Sequence, residues 1–86
     1  MRKSIFVVEL KKGTRQELFE PCRLYIGSSK KAAYKYLYQF AEGFDVDLTK
    51  VPDDVAIWVD LAEIYWDEDK YSHKQIIDQL IIKEAD

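Results

Sequence analysis

Residues 28–43 read SSKKAAYKYLYQFAEG, and this stretch decides the fold. The serines that open it can accept hydrogen bonds from the free N–H groups of a first helical turn. Gly43 suits the left-handed residue that commonly follows a helix. Between these signals Ala33, Leu37 and Phe40 recur with the helical period and share one face. The stretch therefore predicts one amphipathic helix of about 21 Å, long enough to cross a small sheet.

Two segments before this helix predict a hairpin. Residues 4–10, SIFVVEL, form a short apolar run, typical of a strand that is buried on both faces and central in its sheet. After a polar turn, residues 16–26 alternate as a second strand, with Cys22 on its buried side. Pro21 has no N–H to donate to a sheet ladder, so this strand should lie at an edge or break there.

Residues 55–66, VAIWVDLAEIYW, are compatible with either a strand or a helix. The helical period leaves one narrow acidic face, whereas the alternation of Val55, Ile57 and Val59 favours a strand. A two-stranded hairpin whose first strand is apolar on both sides needs a further neighbour. We therefore predict a strand with a bulge near 62–63, and a helix is the alternative.

Residues 73–84 predict a final helix that Ser72 caps. The side chains on its predicted buried face are Ile76, Ile77, Leu80 and Ile81. The result is a small α+β fold in the order ββαβα, with a three-stranded antiparallel or mixed sheet and two helices. A length of 86 residues fits a single α+β domain over 1–86.

The net charge of −3 is unevenly distributed. Residues 1–44 carry nine Lys or Arg against four Asp or Glu, and residues 45–86 carry four against twelve. No apolar run is long enough to span a membrane or to form a signal peptide. Cys22 is the only cysteine and cannot form an internal disulfide, which is typical of a reducing compartment. These features predict a cytoplasmic protein without membrane contact.

Catalysis needs a nucleophile beside a base, a carboxylate pair in a pocket, or metal ligands at workable spacing. The chain has one histidine, His73, and one cysteine, and no phosphate-loop or nucleophile-elbow motif. Asp60 with Glu63 is the one carboxylate pair that we considered. We predict no enzymatic activity, no cofactor and no metal site.

A surplus of large apolar residues predicts an interaction surface. If both predicted helices cover the same face of the sheet, the other face exposes an apolar patch of Ile5, Val7, Phe19, Tyr25 and Trp58. If the helices cover opposite faces, these side chains are buried. The predicted partner-binding residues are an aromatic and acidic set, Trp58, Tyr65, Trp66, Asp67, Glu68 and Asp69.

Our leading hypothesis is a small non-catalytic module that binds another protein, whether a different protein or a second copy in a homodimer. The acidic second half suggests an inhibitor or accessory protein of phage or mobile-element type. The alternative is a nucleic-acid-binding domain that uses the basic first half, although the overall acidity disfavours it. Its predicted contacts are Arg2, Lys3, Lys11, Lys12, Arg15, Lys30 and Lys31.

Overall fold

The computed structural model describes residues 3–43, 47–66 and 72–86. Its elements are β1 (Lys3–Gly13), β2 (Cys22–Gly27), α1 (Lys30–Gly43), a 3-10 turn (Leu48–Lys50), β3 (Ala56–Trp66) and β4 (Ser72–Lys83). The four strands form one sheet in the order β2-β1-β3-β4, and every neighbouring pair is antiparallel. The fold is therefore α+β, as predicted, but its element order is ββαββ.

The apolar first strand is central, as predicted. β1 pairs with β2 on one side and with β3 on the other. Its register with β3 runs without interruption from Lys3 opposite Trp66 to Gly13 opposite Ala56. The strand extends beyond the apolar run because the backbone groups of the polar residues that follow still have partners on β3.

The predicted helix is confirmed as α1. The backbone N–H of Ala32 donates to the Ser29 hydroxyl at 3.1 Å, so Ser29 is the N-cap and the helix begins at Lys30. Ala33 and Leu37 are completely buried against the sheet. The core that they complete contains Phe6, Val8, Leu10, Ile57, Val59 and Leu61.

The second strand is shorter than predicted. β2 begins at Cys22, directly after Pro21, and it is an edge strand, as the missing proline N–H requires. The residues before it form a turn in which the Thr14 N–H donates to the Glu17 carbonyl at 2.7 Å. The expectation of a buried Cys22 is wrong: the residue is exposed because it opens an edge strand.

Residues 55–66 contain a strand rather than the alternative helix. β3 lies between β1 and β4, so the central hairpin does gain the further neighbour that it needed. The irregularity predicted near 62–63 lies on the partner strand: Leu61 and Ala62 face Asp78 and Ile76, so Ile77 is an extra residue of β4.

The predicted final helix is wrong, because residues 72–83 form β4. Ile77 and Ile82 are both extra residues in the ladder with β3, and each shifts the alternation of β4 by one position. The side chains that pack against the core are consequently Ile77, Leu80 and Ile82. The set with a helical period in the sequence, Ile76, Ile77, Leu80 and Ile81, is thereby divided between the two faces of the sheet.

One face of the sheet is covered by α1. Within residues 3–43, 47–66 and 72–86, α1 is the only α-helix. The radius of gyration is 14.4 Å, against about 12 Å for a compact chain of this length. The molecule is therefore an extended two-layer plate, 47 × 28 × 16 Å in its principal dimensions. No helix in the described ranges is long and apolar enough to cross a membrane.

Candidate interaction surface

We define the open face as the side of the sheet opposite α1. Directly opposite residues of antiparallel strands share a face, so the strand registers identify its members. They are Arg23 and Ile26 of β2, Lys3, Ile5, Val7, Glu9 and Lys11 of β1, Ala56, Trp58, Asp60, Ala62, Ile64 and Trp66 of β3, and Lys74, Ile76, Gln79 and Ile81 of β4.

Large apolar side chains on this face remain accessible to water. The exposed fractions are 51% for Ile26, 45% for Ile76, 57% for Ile81 and 38% for Trp66. Between them Val7 and Ala62 are buried at 1% exposure. An apolar surface of this kind on a small domain is typical of an interaction site.

A buried carboxylate lies at the centre of the open face. Asp60 is only 3% exposed. Its carboxylate accepts hydrogen bonds from Lys11 Nζ at 2.7 Å, Gln79 Nε2 at 2.6 Å and Trp58 Nε1 at 3.3 Å. The donors come from all three long strands, and Trp58 reaches Asp60 because residues two apart on a strand point the same way. We call these four residues the Asp60 network.

A second ion pair crosses β3 beside this network. Lys74 Nζ of β4 lies 3.3 Å from Glu9 Oε1 of β1, and the Glu9 side chain is 12% exposed. The two lysines and two carboxylates of these pairs balance one another. No buried side-chain nitrogen or oxygen in the described residues lacks a hydrogen-bond partner. The polar centre of the face is therefore electrically neutral and internally satisfied.

One end of the open face contains a shallow depression of about 360 Å³. Trp58 and Ile81 form its apolar wall, and Ala56 and Lys83 line it further toward the ends of their strands. Trp58 and Ile81 lie directly opposite each other on β3 and β4. The depression thus belongs to the same surface as the exposed isoleucines.

The structure divides the predicted partner-binding set. Trp58 and Trp66 both lie on the open face, eight residues and about 26 Å apart. Tyr65 points to the opposite side of the sheet, where its ring stacks on His73 with 5.1 Å between centroids. Asp67, Glu68 and Asp69 lie outside the described residues.

Three members of the predicted apolar patch, Ile5, Val7 and Trp58, lie on the open face, but Val7 is buried at 1% exposure and only Ile5 and Trp58 are partly accessible. Tyr25 instead packs toward α1 and stacks on Tyr36 at 5.0 Å. Phe19 lies in the connection between β1 and β2. Sequence reasoning missed Ile26 because a bulge in β2 shifted the strand alternation. It missed Ile76 and Ile81 because residues 73–84 were predicted to form a helix and instead lie in β4.

The carboxylate pair considered for catalysis is not a pair. Asp60 lies on the open face, whereas Glu63 lies an odd number of residues away and points to the side of α1. No group of three or more His, Cys, Asp or Glu in the described part of the chain could hold a metal ion.

The basic residues predicted for nucleic-acid binding are distributed over both sides of the sheet. Lys11 lies on the open face and is neutralised by Asp60. Lys30 and Lys31 lie at the start of α1, on the other side. Arg2 is outside the described residues.

Comparison of the chain with protein-family models, with curated proteins and with solved structures found no significant match. The inference about function therefore depends on the chemistry of the open face.

Proposed function

We propose that this chain is a small protein-binding module that docks another protein chain on its open face. The proposal rests on one observation: Ile26, Ile76, Ile81 and Trp66 remain 38–57% exposed on a sheet face that no described helix covers. Covering such side chains is favourable by about 25 cal/mol for each Å² of apolar surface removed from water.

The chemistry of the face favours a protein partner over a nucleic acid. Phosphate binding is driven by concentrated positive charge, and Lys11 and Lys74 are each paired with a carboxylate. The two remaining cations of the face, Lys3 at one end of β1 and Arg23 on the edge strand, lie apart and do not form a basic cluster. Bases stack on aromatic rings, whereas the side chains exposed here are mainly isoleucines. Isoleucines fit the aliphatic and aromatic side chains of another protein.

The polar centre does not oppose docking. An unpaired carboxylate is costly to cover, because its lost hydration is not replaced. Asp60 already accepts three hydrogen bonds within its own sheet and is 3% exposed before any partner arrives. A partner therefore covers the network without removing much further hydration.

The size of the face is adequate for a specific complex. Strands of 11 residues at roughly 3.3 Å per residue give about 36 Å of length. Four strands at about 4.8 Å give a width of about 19 Å. Because β2 has only six residues, the resulting area is about 600 Å², at the lower end of the roughly 600–1,000 Å² that each partner contributes to a standard interface.

The acidic residues 67–69 follow Trp66 directly in the sequence. A partner that contacts Trp66 and carries basic residues nearby would match them. The acidic inhibitor or accessory protein of phage or mobile-element type is the corresponding special case of this proposal.

The test is capture of partners from a lysate of the source cells, with and without nuclease, by three tagged proteins. They are the wild type, Ile81→Lys on the open face, and Tyr38→Lys on α1. Both replaced side chains are about half exposed, at 57% and 49%. We expect a nuclease-resistant protein that the wild type and Tyr38→Lys retain and Ile81→Lys loses.

Equal capture by all three proteins would contradict docking on the open face. Bound material that disappears with nuclease and weakens steeply with salt would instead support the nucleic-acid alternative.

A further inference from the structure

We infer that the chain on the open face is a second copy of this protein, in a two-fold symmetric dimer. In this dimer Trp66 of each copy enters the depression beside Trp58 and Ile81 of the other. The inference rests on the proposed function, since it names the partner of the same surface.

Trp66 and the depression that receives it lie on the same face of the sheet, at opposite ends of β3. Trp66 is 38% exposed at one end of β3, and the depression beside Trp58 lies at the other end, about 26 Å away. A two-fold axis makes every contact between two copies occur twice. A two-fold axis midway between Trp58 and Trp66 places Trp66 of each copy on the depression of the other copy.

The position of that axis is occupied by a small residue. Ala62 is midway between Trp58 and Trp66 in β3, and it lies opposite Val7 on β1 and Ile76 on β4. The Lys74–Glu9 ion pair crosses β3 beside this position, and Val7 and Ala62 are buried at 1% exposure. The axis therefore passes between two neutral ion pairs, and the apolar contacts of the dimer lie toward the two ends of β3.

The charge pattern permits self-association. A face with excess charge repels a copy of itself, but Lys11–Asp60 and Lys74–Glu9 are neutral pairs within each copy. The two further cations of the face, Lys3 and Arg23, lie at one end of β1 and on the edge strand β2, away from the axis at Ala62. The estimated 600 Å² for each copy gives about 1,200 Å² in total, at the lower end of the roughly 1,200–2,000 Å² of stable interfaces.

Sedimentation equilibrium of the purified chain, from about 1 to 200 µM, tests the dimer directly. We expect a mass that rises with concentration toward twice the 10.2 kDa of the chain. Removing an aromatic anchor that fills a pocket of the partner commonly weakens an interface by about 30-fold, and each anchor occurs twice here. Trp66→Ala and Ile81→Lys should therefore each raise the dimer Kd by about 100-fold or more, and Tyr38→Lys should leave it unchanged.

Mixing the two variants tests the specific pairing. A Trp66→Ala homodimer has two intact depressions but lacks the tryptophans that enter them. An Ile81→Lys homodimer has both tryptophans, but its two depressions are damaged. The mixed dimer regains one of the two contacts, so the mixture should associate about 10-fold or more tightly than either variant alone. Non-specific apolar association gives no such preference.

A chain that stays monomeric at the highest concentration, or an Ile81→Lys variant that dimerises like the wild type, would overturn the inference. A mixture that associates no better than its components would also overturn it. A monomer whose open-face variant still loses a nuclease-resistant partner from the lysate would leave the proposed function standing. If the chain stays monomeric and all three tagged proteins capture the same material from the lysate, both the dimer and the proposed function would be rejected.

Discussion

Replacing Asp60 with asparagine removes one charge from the centre of the open face and keeps the shape of the side chain. The wild-type carboxylate accepts from Lys11, Gln79 and Trp58, which are all donors. The asparagine retains one accepting oxygen, and its NH₂ group must face a donor. The Lys11 ammonium, on a side chain that is 16% exposed, then has no carboxylate at 2.7 Å.

The size of the effect follows from these contacts. A hydrogen bond to a charged group contributes about 1.5–3 kcal/mol, and breaking a buried ion pair costs about 3–5 kcal/mol. Lys11 can turn toward water or toward Glu9, two residues away on the same face, which reduces the loss. We expect the free energy of unfolding to fall by about 2–4 kcal/mol, or Tm by about 10–20 °C.

The assay is urea denaturation followed by far-ultraviolet circular dichroism, at one low protein concentration so that self-association does not contribute. Lys50→Met is the control, because the Lys50–Asp47 pair is separated by 3.7 Å with its side chains 82% and 51% exposed. That variant should change stability by less than about 0.5 kcal/mol. The double variant Lys11→Met with Asp60→Leu should recover most of the loss, because apolar residues can replace a buried pair.

A loss in Asp60→Asn no larger than that of the control would refute the structural role of the network. Failure of the double variant to recover stability would assign the loss to Gln79 and Trp58, which also lose their acceptor, and not to the unpaired lysine.

Three further predictions concern the layer formed by α1 and the turn after it. Leu37→Ala should lower the free energy of unfolding by about 3 kcal/mol, because the side chain is completely buried; a loss under about 1 kcal/mol would place Leu37 outside the core. Ser29→Ala should cost about 1 kcal/mol in the same measurement, since the Ala32 N–H loses its acceptor, whereas Ser29→Asp should retain stability. Hydrogen bonds from the Thr49 hydroxyl and then from its N–H lower the pKa of the Asp47 carboxyl. The stability from this contact is present above the ordinary carboxyl pKa and is lost as the pH falls through the lowered folded value. Thr49→Val should raise the Asp47 pKa in an NMR titration, and an unchanged pKa would contradict the role of the hydroxyl.

Local sequence signals were sufficient to predict α1 and β1, which both contribute side chains to the core. The cap at Ser29, the apolar period through Leu37 and the continuous run in β1 depend on residues close in sequence, and each prediction agrees with the structure. β3 was harder, because its residues fit two periods. The requirement of the predicted hairpin for a further neighbouring strand correctly favoured the strand over the helix.

β4 was not predictable from periodicity. Its extra residues, Ile77 and Ile82, interrupt the alternation of a strand, and the apolar residues at 76, 77, 80 and 81 recur with a helical period. Only the pairing with β3 shows that the strand is extended, and pairing between strands depends on contacts that local sequence does not specify.

The open face was predictable only in part. Trp58 and Trp66 were identified as candidate anchors, but Tyr65 was grouped with them because it is adjacent in sequence, and strand alternation places it on the other side. The Asp60 network joins residues of three strands, from Lys11 to Gln79. Its members are too far apart in sequence to form a motif.

The central claim is that another protein chain covers the open face, and thiol labelling tests it without knowledge of the partner. Single cysteines would replace Ile76 on the open face or Tyr38 on α1, in a Cys22→Ser background. The two native side chains are similarly exposed, at 45% and 49%. In concentrated lysate we predict that the cysteine at 76 reacts with a maleimide about tenfold more slowly than the cysteine at 38, with equal rates in urea. Equal rates in the native lysate would contradict the claim.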